Sequence, residues 1–160
     1  MRSASRLSGS STAGCRSTGW VVNLLAKGSR KHCEGQLRRT PEQHLADVRA
    51  EILAAVDRDM RVNLYLEDWS NGMRHSPDYV YAMLDGLADA PVQRFLCPDT
   101  LGVLDPYETE RFCRDLVARY PHLRFDFHAH NDYDLAVANT AAAVRAGFHG
   151  VHVTVNGLGE

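Results

Sequence analysis

From Trp20 onward the chain repeats one unit: a short run rich in Val, Leu and Phe, a polar stretch, and then a capped amphipathic segment. Alternation of this kind builds a parallel sheet, because each strand can return beside its predecessor only through a right-handed helical crossover. The strands read from the sequence are 21–26, 61–66, 92–97, 123–128 and 150–155. Four helices lie between them. The first opens at Thr40-Pro41-Glu42-Gln43, where Thr40 caps and Gln43 closes a capping box, and its apolar stripe is Leu45, Val48, Ile52 and Val56. The second begins at Ser76-Pro77-Asp78 and buries Val80, Met83, Leu84 and Leu87. The third begins at Asp105-Pro106, with Glu108 as box partner, and buries Phe112, Leu116 and Tyr120. The fourth, near Leu135 to Ala146, is rich in alanine; Ala138, Ala141 and Ala142 would let it lie close to a sheet, and Gly147 ends it.

Two architectures accommodate such a chain. A five-stranded doubly wound sheet fits 160 residues, whereas an eight-stranded (β/α)8 barrel takes about 250 and would here be incomplete. Length favours the sheet, but the strand ends favour the barrel. Consecutive strands finish in Glu67-Asp68, Pro98-Asp99-Thr100, His128-Ala129-His130-Asn131-Asp132 and Asn156-Gly157, so polar groups gather at the carboxyl ends of four neighbours. A barrel collects its catalytic residues at that rim, while a doubly wound sheet concentrates them at one switch point. The glycine-rich phosphate loop that often marks such a point is absent from the sequence. The fold expected is α/β, an incomplete TIM barrel of about five parallel strands and four helices spanning residues 20–160. Its two unpaired edges would be an aggregation hazard, and the chain reads as a fragment.

His128 and His130 stand two apart at a strand end, so period two puts both imidazoles on one face, a spacing that suits chelation of a divalent metal. A metal there polarises a carbonyl as a Lewis acid. On spacing alone, a pair of surface or hydrogen-bonded histidines is an equal reading. Taken singly, Glu67-Asp68 caps a loop, Asp99-Thr100 turns after Pro98, and Asn156-Gly157 is a turn signal. Taken together, they require four coincidences at one rim.

HAHNDYDLAVANTAAAVRAG followed by VHVTVNGLGE resembles the signature of the metal-dependent acyl-CoA condensing enzymes. That family comprises the 2-isopropylmalate, homocitrate and citramalate synthases, with 3-hydroxy-3-methylglutaryl-CoA lyase a more distant relative. Cys97-Pro98-Asp99-Thr100-Leu101-Gly102 is similar to the family's L-P-D-T-x-G, Glu67-Asp68 to its Glu-Asp strand end, and Ser29-x-x-His32 with Leu37 and Thr40-Pro41-Glu42 to its S-x-x-H segment. The resemblance runs in order from about Val21 to Glu160. It implies a TIM-barrel transferase that condenses acetyl-CoA with a 2-oxo acid, 2-oxoisovalerate being favoured, as in the 2-isopropylmalate step of leucine biosynthesis. Homocitrate or citramalate synthesis, an acyl-CoA lyase and a non-catalytic remnant are the alternatives. Carried over residue by residue, His128 and His130 are ligands of Mg²⁺, Mn²⁺ or Zn²⁺. Thr100 holds the 2-oxo acid carboxylate, and Asp99 beside it is also substrate-binding. Glu67 lines the side-chain pocket in a catalytic and substrate-binding role. Asn131 and Asp132 orient the imidazoles, Asn131 also binding substrate and Asp132 acting in catalysis. Glu160 begins the G-E-R-x-G-N segment, and a homodimer is implied for the complete enzyme.

The same comparison exposes departures. The family's first strand, with an acidic ligand and an arginine, has no counterpart before Trp20, and its final Asn ligand is not reached, leaving two of about four protein ligands. Asn23 stands where many synthases have His, Asp134 where many have Gly, and Trp69-Ser70-Asn71 where a small residue and an Arg are frequent. His32 is equally a solvated histidine, and His44, His75, His122, His149 and His152 read as surface or packing residues. Residues 1–19 read as a disordered or non-native leader, rich in Ser, Gly and Arg without acid. Residues 1–50 carry nine Lys/Arg against three Asp/Glu, yet neither aromatic interleaving nor zinc-finger spacing accompanies them, so nucleic acid is not an expected partner. No apolar run reaches the roughly 18 residues of a membrane helix. Four scattered cysteines without a C-x-x-C pair suggest a reducing cytoplasm.

Overall fold

The computed structural model describes residues 19–158. Five strands form one sheet: β1 (Val21–Lys27), β2 (Arg61–Glu67), β3 (Val92–Asp99), β4 (Phe125–Ala129) and β5 (Gly150–His152). Every neighbouring pair is parallel, and the spatial order is the chain order, β1-β2-β3-β4-β5. That order decides between the two expected architectures. A doubly wound sheet reverses direction at a switch point, whereas successive strands added always to the same side curl into a barrel wall.

Six helices accompany the strands rather than the expected four: α1 (Arg30–Gly35), α2 (Pro41–Val56), α3 (Trp69–His75), α4 (Pro77–Leu87), α5 (Pro106–Arg119) and α6 (Ala136–Arg145). The two additions, α1 and α3, are single-turn to two-turn segments in strand-to-helix loops, too short for a legible apolar stripe. Both expected capping boxes form, Thr40 with Gln43 and Asp105 with Glu108. Two faces are rotated from expectation. Helix α2 buries His44, Val48, Ile52 and Ala55, so a polar histidine takes the place anticipated for Leu45. Helix α6 buries Asn139, Ala142 and Ala143, while Ala138 and Ala141 are exposed. In each case one buried polar side chain with a partner shifts the helix by a residue. β4 starts two residues later than expected, and β5 stops at His152 before a 3-10 turn, Val155–Gly157.

Alternation along the strands sorts residues between the sheet's two faces. Val62, Leu64 and Leu66 of β2 point to the helices and are buried in the apolar core with Ile52, Leu84, Phe95, Phe125 and Phe127. Trp69, wholly buried, packs its indole edge-on against Phe112 and Phe127 at ring distances of 6.2 and 6.4 Å. The other face is polar: Asn63 donates to Asn23 at 3.0 Å, Tyr65 meets His152, and Arg94 meets Asp126. In a closed barrel this is the inner wall. The β1 and α3 ends approach so closely at Gly28 and Gly72 that a Cβ on Gly72 would overlap the Gly28 carbonyl.

Candidate functional site

The carboxyl ends of β1 and β2 carry Lys27 and Glu67 as register partners, and their side chains form an ion pair on the inner face. Lys27 is further fixed through its backbone. Its N–H donates to His44 Nε2 at 3.4 Å, His44 Nδ1–H donates to the Tyr79 hydroxyl at 2.7 Å, and that hydroxyl donates to the Lys27 carbonyl at 3.0 Å. This ring closes only if His44 is neutral. Burial does push His44 below the ordinary histidine range, against Asp47, which raises it.

The chain leaves β2 through Asp68, which takes a left-handed conformation (φ 66°) and is almost wholly buried. Its carboxylate accepts from Ser29 Oγ at 2.6 Å and from Asn71 Nδ2 at 2.7 Å, while His32 Nε2 lies 3.5 Å away. The S-x-x-H segment is thus built around Asp68. The backbone N–H of Asp68 donates to Thr100 Oγ1 at 2.9 Å. With one lone pair so occupied, the Thr100 hydroxyl keeps its own proton to donate to an acceptor at the rim.

The P-D-T-L-G and H-x-H-N-D loops hold each other. The Asp99 carbonyl accepts from the N–H of Gly102 at 3.1 Å and from that of His130 at 3.2 Å. The Asp99 carboxylate, fully buried, turns into its own loop and accepts from the Leu104 N–H at 2.9 Å. Gly102, with φ 58°, leaves the space that Asp132 occupies; a Cβ there would lie 2.7 Å from Asp132 Oδ2. Asn131 Oδ1 accepts from the Ala136 N–H at 3.0 Å, capping α6, and its amide reaches Asp134 at 3.2 Å. Asp134 itself is left-handed (φ 58°), which accounts for the glycine many synthases place there.

The imidazoles of His128 and His130 stand 5.2 Å apart between ring centres. Burial, and then the neighbouring His130 and His152, lower the His128 pKa, so at neutral pH it offers a lone pair rather than a charge. Such a pair suits two positions in the shell of a divalent cation. Among the described residues no group of three or more His, Cys, Asp or Glu side chains is arranged to hold a metal ion. A cavity of about 550 Å³ opens beside them, lined by His128, His130, Asn131, Thr140, His152 and Thr154 among others.

Of the residues expected from sequence, the structure therefore gathers His128, His130 and Asn131 around one cavity. Glu67 and Thr100 lie at the adjoining strand ends, Asp99 is buried in its loop, and Asp132 is exposed. The imidazole that touches His128 belongs to His152, read from sequence as a surface or packing residue: the two Nδ1 atoms are 3.4 Å apart. The signal was the β5 run itself, because parallel pairing places His152 on the same rung as His128. Glu160 lies outside the described residues, as do positions 1–18 of the expected leader.

The family described as HMGL-like matches residues 12–160. The homocitrate synthase of Sulfolobus acidocaldarius is 34% identical over 132 residues, covering 82% of this chain and 28% of that protein. That of Sulfurisphaera tokodaii is 38% identical over 129 residues, covering 81% of this chain and 27% of that protein. The chain spans just over a quarter of the length of these curated relatives. Among solved structures, the HMG-CoA lyase of Bacillus subtilis superposes with a TM-score of 0.73 at 18% identity, over 82% of this chain and 45% of that one. The carboxyl transferase domain of Rhizobium etli pyruvate carboxylase superposes with a TM-score of 0.58 at 20% identity, over 81% and 20%. At these identities the structures speak for the fold, an arc covering part of a TIM barrel. Rim motifs, strand order and the match over nearly the whole sequence agree: the chain belongs to the HMGL-like family and forms part of a TIM barrel.

Proposed function

We propose that these residues form the central wall of the catalytic barrel of a transferase that condenses acetyl-CoA with a 2-oxo acid. The observation that carries the reading is the His128–His130 pair, 5.2 Å apart between ring centres at the rim of a cavity and with burial lowering the His128 pKa, next to strand ends that present Thr100 and Glu67. A divalent cation, Mg²⁺, Mn²⁺ or Zn²⁺, held by His128 and His130 would polarise the 2-oxo carbonyl as a Lewis acid. The Thr100 hydroxyl, already accepting from Asp68, would donate its proton to the substrate carboxylate. Glu67 would border the substrate's side chain.

Charge on the inner face favours a substrate with an uncharged side chain, such as 2-oxoisovalerate in a 2-isopropylmalate synthase of leucine biosynthesis. Lys27 is paired with Glu67, and Arg94 with Asp126, so neither cation is left for a second carboxylate. Homocitrate synthesis from 2-oxoglutarate is the second reading, favoured by the similarity to homocitrate synthases. It would require the distal carboxylate to draw Lys27 away from Glu67. The test is release of CoA thiol from acetyl-CoA, with these residues in a complete barrel, offered 2-oxoisovalerate, 2-oxoglutarate or pyruvate. Highest kcat/KM with 2-oxoisovalerate is expected; preference for 2-oxoglutarate would establish the second reading, and no release with any of them would refute both.

A further inference from the structure

Strand register measures distance across the inner face. Lys27 of β1 pairs with Glu67 of β2, Tyr65 of β2 with Leu96 of β3, and Pro98 of β3 with His128 of β4. Continued two residues past Tyr65 and Leu96, the β2–β3 register sets Glu67 opposite Pro98. Lys27, Glu67, Pro98 and His128 therefore share one rung at the carboxyl end of the sheet. Neighbouring strands lie about 4.8 Å apart, which puts Glu67 about 10 Å and Lys27 about 14 Å along the rung from His128. Pro98, between them, offers neither an N–H nor a polar side chain.

Lys27 is fixed where it stands. Its N–H donates to His44 Nε2 at 3.4 Å, its carbonyl accepts from the Tyr79 hydroxyl at 3.0 Å, and the next N–H, of Gly28, donates to the Glu67 carbonyl at 2.6 Å. The strands are so close here that a Cβ on Gly28 would lie 2.4 Å from the Leu66 carbonyl oxygen. The Lys27 and Glu67 side chains are only 15% and 26% exposed, so each charge is largely withdrawn from water and depends on the other. The other paired cation of this face, Arg94, lies deeper, on the rung of Asn63 below that of Tyr65, and is held by both oxygens of Asp126 at 2.8 and 3.1 Å.

We propose that Lys27 is a specificity-determining residue: locked to Glu67 at the far end of the His128 rung, it closes the site to a 2-oxo acid that bears a second carboxylate. This rests on the condensing-enzyme reading, with the substrate carbonyl at the imidazoles and its side chain running along the rung past Pro98. An alkyl side chain meets a pair whose charges cancel. A distal carboxylate reaches Lys27 only by displacing Glu67, which strands a largely buried anion beside the incoming one. Removing that anion alone reverses the filter, because the freed ammonium then gains a charged hydrogen bond to the distal carboxylate.

The test is calorimetric binding of 2-oxoisovalerate and of 2-oxoglutarate, with Mg²⁺ and without acetyl-CoA, to a complete barrel carrying these residues. Binding is read rather than turnover because Glu67 is also expected to act in catalysis. The unaltered protein should bind 2-oxoisovalerate more tightly. In E67Q the ratio of the two affinities should move towards 2-oxoglutarate by about 10- to 100-fold, the worth of one hydrogen bond to a charged group. In K27M it should move the other way, and in the double variant it should return to within about threefold of the unaltered ratio. General damage to the site weakens both ligands together and leaves the ratio unmoved. Circular dichroism identifies unfolded variants, and E67Q, which keeps the side chain's shape, decides the matter if K27M does not fold. A ratio unmoved in E67Q, or an unaltered protein that prefers 2-oxoglutarate, would overturn the proposal while leaving the condensing-enzyme reading in place. Binding of neither 2-oxo acid would overturn both.

Discussion

Replacing Tyr79 by Phe tests the ring that anchors the end of β1. Tyr79 is fully buried on α4, and its hydroxyl is the only atom lost. The lost oxygen accepted from His44 Nδ1–H at 2.7 Å and donated to the Lys27 carbonyl at 3.0 Å. Two net hydrogen bonds at about 1 kcal/mol each, plus desolvation of a stranded imidazole N–H at about 1–3 kcal/mol, give a destabilisation of about 3–5 kcal/mol. Urea unfolding at pH 7.5, followed by circular dichroism, reads it as a fall in midpoint at constant slope. The ring also makes a pH statement. Folding lowers the His44 pKa, so the unfolded chain binds the extra proton and the ring's contribution is complete only above the ordinary histidine value near 6.5. It is lost as pH falls through that value towards the folded one, with a slope of at most about 1.4 kcal/mol per pH unit. His44→Gln should flatten stability against pH below 6.5 by up to that slope. A loss under about 0.5 kcal/mol for Tyr79→Phe, or an unaltered pH slope in His44→Gln, would refute the closed ring.

Other consequences are more direct. Gly72→Ala forces a methyl into the Gly28 carbonyl, backbone against backbone, and should lower stability by about 3 kcal/mol in the same unfolding assay. Asp105→Ala removes the acceptor of the Tyr107 and Glu108 N–H groups, each at 2.8 Å, and should cost about 1–2 kcal/mol, with fraying of α5 visible in amide exchange. His128→Ala with His130→Ala should abolish Zn²⁺ binding in equilibrium dialysis while leaving circular dichroism unchanged, because both side chains face the cavity rather than the helices.

Much of the wall was legible because its signals are local. Thr40-Pro41 and Asp105-Pro106 announce helix starts, and their boxes form as written. Period two in RVNLYL separates Val62, Leu64 and Leu66 from Asn63 and Tyr65 without reference to any partner strand. What sequence could not supply was cross-strand identity. His44 looked like a surface residue because its partners, Tyr79 and the Lys27 backbone, lie 35 and 17 positions away. His152 looked idle because its contact with His128 depends on register with β4, and a one-residue slip would have turned it to the helices. Asp126 gave no signal at all, since a buried carboxylate inside an apolar run is recognisable only once Arg94 and Gly150 are seen beside it.

The motifs at the rim are better understood as one interlocked unit than as separate ligands. Asp68 gives its carboxylate to Ser29 and its N–H to Thr100. The next residue but one before Leu101, Asp99, gives its carbonyl to His130 and its carboxylate to Leu104. The Leu104 carbonyl in turn accepts from Asn139 of α6 at 2.7 Å. Pairing offsets the cost of burying polar groups, and here the Ser29–Asp68, Asp68–Thr100, Asp99–His130 and Leu104–Asn139 bonds each cross from one strand end to the next. The positions of Thr100 and His130 are thus set by backbone groups of neighbouring loops, not by the side chains that flank them in sequence. Asp68 and Asp99, neither of which lines the cavity, therefore carry as much of the site's geometry as the residues that do.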